Sequence, residues 1–203
     1  MDYASTALIL VGYQNDYFAR DGILRGVVED PTGVDKVLET TMRFIRATYA
    51  SPMLILSTPI ILSPDYRALA SPVGILNTIK ESGAFKAGSR GAENIAELDE
   101  FGEAIQYVTG KVGFNAFSNT TLGQVLADRQ IKDVLVAGMV TSLCIDSTGR
   151  AAYERGYNVT ILSDCTSSRT KIEQDFFCTS VFPLYGRAAT ADEVLGELVR
   201  SAA

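Results

Sequence analysis

The stretch "VAGMVTSLCIDSTGRAA", 136–152, ends an apolar run at Gly138 and places Cys144 in the first turn of the helix expected next. Backbone N–H groups and the dipole at the start of a helix favour a thiolate, and a thiolate is a nucleophile. The same amides can hold the oxyanion of a tetrahedral intermediate. A small buried cysteine in a helix is the bland reading of the same letters. In "GKVGFNAFSNTTL", 110–122, Lys111 directly follows another apolar run, so its ammonium can point into a cleft beyond the strand ends and support that thiolate. A third stretch, "ALILVGYQNDYF", 7–18, runs as a buried strand into polar groups, yet at its mouth stands Gly12, which has no side chain. The chain contains no histidine. That removes Ser–His and Cys–His catalysis and histidine-bound metal, leaving Cys, Lys, Asp, Glu, Tyr and backbone amides to do chemistry.

These residues must be positioned by the elements around them. Short β-rich runs recur at 7–12, 53–58, 104–110, 133–138 and 158–164, most of them nearly continuous in hydrophobicity, as strands covered on both faces are. Helical patterns lie between them. Val34, Val37, Leu38, Met42, Ile45 and Tyr49 share one face; Thr141 or Ser142 can cap a helix that Gly156 ends; Thr190 and Glu193 form a capping box for the last helix. Strands alternating with helices predict a three-layer α/β fold, a doubly wound, mostly parallel, Rossmann-like sheet in a single domain over 1–203. Residues 59–103 form a long excursion with several prolines and glycines, expected to be a lid, an oligomerisation arm or both. In open parallel sheets ligands bind beyond the carboxyl ends of the strands where strand order reverses. Gly12, Lys111, Cys144 and Asp164 all fall at or just after such ends.

Composition narrows the function classes. The 203 residues carry a formal charge of −6 and no Lys/Arg stripe, against a nucleic-acid partner. Three cysteines without a CxxC suggest neither a disulfide framework nor a zinc ribbon, and Cys165 and Cys178 read as structural. No apolar run approaches the ~20 residues of a membrane span, and the first residues lack the basic region of a secretory signal. A cytoplasmic protein acting on a small molecule, with no membrane partner and no cofactor, is expected.

Together the motifs resemble the isochorismatase-like cysteine hydrolase family, the nicotinamidase-related amidohydrolases, over nearly the whole chain: the strand with "QNDYF", the lysine of "GKVGFNAFSNTTL", "AGMVTSLCIDSTGRAA", "GYNVTILSDCTSS" and the late "TADEVL". The resemblance implies the isochorismatase-like hydrolase fold, usually in homo-oligomers such as dimers or tetramers. It implies Cys144 as nucleophile, Lys111 as catalytic lysine, and a non-proline cis peptide between Met139 and Val140 that turns the Val140 amide to join that of Cys144 in an oxyanion hole. The implied reaction is thiolate attack on a small amide or related C–N bond, with a thioester that water hydrolyses.

The family's third catalytic residue is an aspartate two residues before the Gln of "QND", where this chain has Gly12. Three explanations compete. Another group, Asp16, Asp146, Asp164, Tyr13 or a water, takes over the proton; the reaction has changed; or the protein is an inactive homologue serving as a small-ligand-binding or oligomeric scaffold. A redox-sensing cysteine protein is a further class. The Asp and two His of family nicotinamidases have only Asp65 as a counterpart, so no metal is expected. Pocket walls are sought among Tyr13, Phe18, Tyr66, Phe117, Leu143 and Ile145, with core packing as the competing role, and Lys86 and Arg90 could meet an anionic group.

Overall fold

A computed structural model describes the backbone of residues 1–202. Six strands form one all-parallel sheet: β1 (Thr6–Val11), β2 (Leu54–Thr58), β3 (Ile105–Tyr107), β4 (Asp133–Met139), β5 (Asn158–Ser167) and β6 (Arg187–Ala189), in the order β3-β2-β1-β4-β5-β6. The first five correspond to the apolar runs. β6 was not among them, because three residues reading Arg-Ala-Ala carry no strand pattern.

Side chains alternate along a strand, so a buried parallel strand feeds two cores. Leu8 and Leu10 of β1 enter one, with Val34, Val37, Met42, Phe44 and Ile45 of α2 (Pro31–Thr48) and Val194 and Leu198 of α7 (Ala191–Ala202). Ala7, Ile9 and Val11 enter the other, with Leu122 and Leu126 of α4 (Leu122–Asp128) and Ala151 and Ala152 of α5 (Asp146–Tyr153). This is the three-layer arrangement expected. On α2 the expected face is buried at Val34, Val37, Met42 and Ile45, whereas Tyr49 lies beyond the helix end and is exposed. α2 begins at the Asp30 cap, whose carboxylate accepts from Thr32 N. The Thr190–Glu193 capping box forms: Thr190 N donates to Glu193 and Glu193 N donates to Thr190 Oγ1.

The order reverses between β1 and β4, so the crevice lies between their carboxyl ends. There Val11 pairs with Gly138 and the strands approach so closely that a Cβ on Gly138 (φ +128°) would stand 1.9 Å from Val11 O. Glycine is required at that point. Residues 59–103 contain α3 (Gly74–Ser82) and send Ile79, Phe85, Ile95, Leu98 and Phe101 into the α2-side core. The segment is tied to the end of β1 by the fully buried Gln14, whose amide donates to Ile60 O and Ala92 O and accepts from Ile60 N. No helix among the described residues is long and apolar enough to cross a membrane.

Candidate active site

Cys144 follows β4 within a single wide turn, Thr141–Ile145, that opens α5. Ile145 N closes this turn onto Val140 O at 3.2 Å, a π-type i→i+5 bond of the kind that clusters at functional sites. Neither Thr141 nor Ser142 caps the helix as expected. The chain never leaves helical backbone between Ile145 and Asp146, so no separate N-terminus exists there to be capped. Thr141 Oγ1 instead donates to Gln174 Oε1 at 2.6 Å, bracing the turn against α6 (Lys171–Phe176). The peptide between Met139 and Val140 is cis.

Lys111 arrives from the extension of β3, bridged in parallel to Ile60 beyond the end of β2. It is fully buried, and its Nζ donates to Gly113 O at 2.6 Å and reaches Cys144 Sγ at 3.6 Å. Burial penalises the ammonium and lowers the lysine below its ordinary range; the Cys144 charge partly opposes that shift. The structure therefore brings together the cysteine and lysine singled out from sequence. Cys144 itself is 4% exposed.

The four side chains weighed as substitutes for an acid at Gly12 are engaged elsewhere. Asp16 accepts from Phe85 N at 2.6 Å, Asp146 binds Arg150 and Tyr185, and Asp164 accepts from Ala191 N at 2.8 Å at the start of α7. The Tyr13 hydroxyl is shared with Thr41 at 2.6 Å and faces Cys165 O. Each has a structural job.

Gly12 sits at φ +73°, where Gln14 N folds back onto Gly12 O at 2.8 Å. A Cβ there would meet Cδ2 and Cε2 of Tyr17, each at 3.3 Å, and Met139 O at 3.5 Å. The ring of Tyr17, in α1 (Asn15–Phe18), thus covers the position from which a side chain at residue 12 would grow. Tyr17 is buried, packs against Phe85 at 5.1 Å, and is held well above the ordinary tyrosine range by burial, then by the charges of Cys144 and Asp16. In the sequence this contact is marked only by a glycine at a strand mouth with a bulky ring five residues later.

The proposed wall residues lie as follows. Tyr13 and Phe18 stack at 4.7 Å inside the α2-side core, and Tyr66 donates to Ala84 O at 2.8 Å. Phe117 lies under the Arg155 guanidinium and beside Tyr157. Leu143 is half-buried on the turn that carries Cys144, whereas Ile145 is in the core on the α5 side. Arg90 pairs with Asp21 on the surface, and Lys86 is exposed. Among the described residues no group of three or more His, Cys, Asp or Glu side chains gathers as metal ligands. Cys165 and Cys178 are pushed up by burial, to about 12 and about 11, and are poor nucleophiles at neutral pH.

The Isochorismatase domain family model matches residues 6–193. The chain is 29% identical over 178 residues to the ureidoacrylate amidohydrolase RutB of Methylobacterium radiotolerans, covering 82% of this chain and 68% of that protein. In fold it is similar to a cysteine hydrolase from Pseudomonas syringae pv. phaseolicola 1448A (TM-score 0.84, 21% identity, 98% of this chain and 95% of that one). It is also similar to the N-carbamoylsarcosine amidase from Thermoplasma acidophilum (TM-score 0.73, 20% identity, 95% and 98%).

Proposed function

Because the chain belongs to the isochorismatase domain family, we propose that it is a metal-independent hydrolase of a small amide or related carbon–nitrogen bond, working through a Cys144 thioester. The observation that carries this reading is the fully buried Lys111 Nζ at 3.6 Å from Cys144 Sγ. A lysine whose ammonium is disfavoured by burial is available as a base, so the dyad can work without a carboxylate.

In this mechanism Lys111 takes the thiol proton and Sγ attacks the carbonyl carbon. The carbonyl electron pair moves onto oxygen, which the Val140 and Cys144 amides receive. As the tetrahedral intermediate collapses, the C–N bond breaks and the Lys111 ammonium protonates the departing nitrogen. Lys111 then removes a proton from water, which attacks the thioester, and the acid product leaves as Cys144 recovers its proton. Gly12 contributes no acid or base, and general acid–base catalysis by one such group is worth about 10²–10⁴ in rate. The reading therefore assigns a slow amidase that favours good leaving groups. Segment 59–103, which exposes Val73, is assigned as the lid or assembly arm of a homo-oligomer.

Intact-protein mass spectrometry after mixing with small amides and activated esters tests this. The expected result is an acyl adduct on wild type that is absent from Cys144→Ala. A folded wild type that forms none, or an adduct that persists in Cys144→Ala, would overturn the assignment.

A further inference from the structure

Beside the turn that carries Cys144, β5 falls out of step with β4. Val136 pairs with Ile161 and Gly138 with Thr166, so residues 162–165 lie opposite Ala137 alone. Backbone in such a bulge cannot pair residue for residue across the ladder and must find partners elsewhere. Ser163 O finds one in the side chain of Gln174, whose Nε2 donates to it at 3.1 Å and to Thr166 Oγ1 at 3.2 Å. That bond settles which way the amide faces. A carbonyl only accepts, so the nitrogen is turned to β5 and Oε1 to the Thr141 hydroxyl, which donates at 2.6 Å. Thr141 is fully buried and lies between Val140 and Cys144 in the chain. α6, six residues long, is too short to keep its own place; Ser168 Oγ and Arg169 N fix it by donating to Glu173 Oε2 at 2.9 and 3.0 Å, and Gln174 is the next residue.

We propose that Gln174 is a positioning residue for the acyl-transfer step, which acts through Thr141 to hold the wide turn in the shape that aims the Val140 and Cys144 amides at one oxyanion. Leu143 N and Ile145 N close the turn on itself, both donating to Val140 O, at 3.1 and 3.2 Å. Because both bonds converge on one carbonyl, they set the width of the turn but not its rotation about that point. The Thr141–Gln174 bond, made from the side, fixes the rotation. Two amides stabilise an oxyanion only while both point at it, and a displacement of about 1 Å can cost about 10² in rate. Reactions of Cys144 that build no oxyanion do not need that alignment. The inference rests on the hydrolase reading and deepens it, by assigning the geometry of the oxyanion site to a side chain outside that site.

The test compares two reactions of one thiol in wild type, Gln174→Met, Thr141→Val and the double variant, with the rates at Cys144 followed by peptide mass spectrometry. With p-nitrophenyl acetate, Sγ bonds to the carbonyl carbon through an oxyanion and p-nitrophenolate leaves. With iodoacetamide, Sγ displaces iodide from a saturated carbon and no oxyanion forms. The acylation-to-alkylation ratio is expected to fall by at least about tenfold in each single variant. The double variant should fall no further than the lower single one, because both changes break the same bond. Thr141→Val keeps the shape of the side chain and carries the test by itself if Gln174→Met does not fold. An unchanged ratio in either folded single variant would overturn the proposal, and so would an equal fall in both rates, the mark of a damaged thiol or fold. Multiplied effects in the double variant would separate Gln174 from Thr141 and overturn it too. A wild type that forms no acyl adduct at Cys144 removes the hydrolase reading and this inference with it, whereas one that acylates while the ratio stays unmoved in the variants removes this inference alone.

Discussion

Adding a side chain at residue 12 should damage this protein before it helps it. Gly12→Ala isolates the cost. The backbone at φ +73° lies in the left-handed region, where a residue with a Cβ pays about 1–2 kcal/mol. The new carbon would stand 3.3 Å from two ring carbons of Tyr17, so a ring packed between Gly12 and Phe85 must give by a few tenths of an ångström, and overpacking of this kind costs about 1–3 kcal/mol more. Replacing glycine stiffens the unfolded chain and returns about 0.4–1 kcal/mol. The net is a loss of about 3 kcal/mol, which for a chain of this size lowers the melting temperature by about 6–12 °C. Differential scanning calorimetry reads it directly. Gly12→Asp should lose at least as much and gain no hydrolytic activity by itself, although the carboxylate it adds is a candidate acid. Combined with Tyr17→Ala it should be less destabilised than the sum of the two single changes, because the ring that Cβ meets is gone. A Gly12→Ala protein as stable as wild type, or strict additivity in the double variant, would refute the reasoning that residues 12 and 17 share one space.

Lys111→Met should stabilise the protein at neutral pH while slowing iodoacetamide labelling of Cys144 by at least tenfold. The sign follows from linkage: a lysine lowered in the folded state binds fewer protons there than in the unfolded chain, so wild-type stability rises with pH up to the ordinary lysine range, and the advantage of Met should shrink over that window in denaturant titrations at stepped pH. The opposite slope would mean that Lys111 is held charged. Iodoacetamide at pH 7.5 should label Cys144 and spare Cys165 and Cys178, whose thiols burial keeps protonated; peptide mapping with dominant label on either of the latter would contradict their structural assignment.

The sheet was legible because a strand buried on both faces is apolar through its centre, as β1, β2, β4 and the first half of β5 are. β6 was not, because its pairing to β5 rests on backbone bonds that three small or charged residues do not announce. The Cys144–Lys111 contact was legible from the rule that chemistry gathers beyond strand ends in a parallel sheet, which converts two distant motifs into neighbours. The wall residues were less so. Proximity in sequence to Gly12 made Tyr13 and Phe18 candidates, but the one-turn helix α1 directs successive side chains apart: Phe18 turns back to stack on Tyr13, and Tyr17 swings over Gly12. No alternation or helical period over four residues predicts that. Nor could composition say that Asp16, Asp146 and Asp164 were each committed to a backbone amide, an arginine or a helix start.

Those commitments bear on how the site balances charge. A buried ammonium without a partner is costly enough that the group gives up its proton instead. Burial and Cys144, 3.6 Å away, act on the Lys111 proton in opposite directions, burial the stronger, and a glycine at residue 12 adds no charge to them. The lysine therefore keeps the base character that the proposed activation of the thiol asks of it.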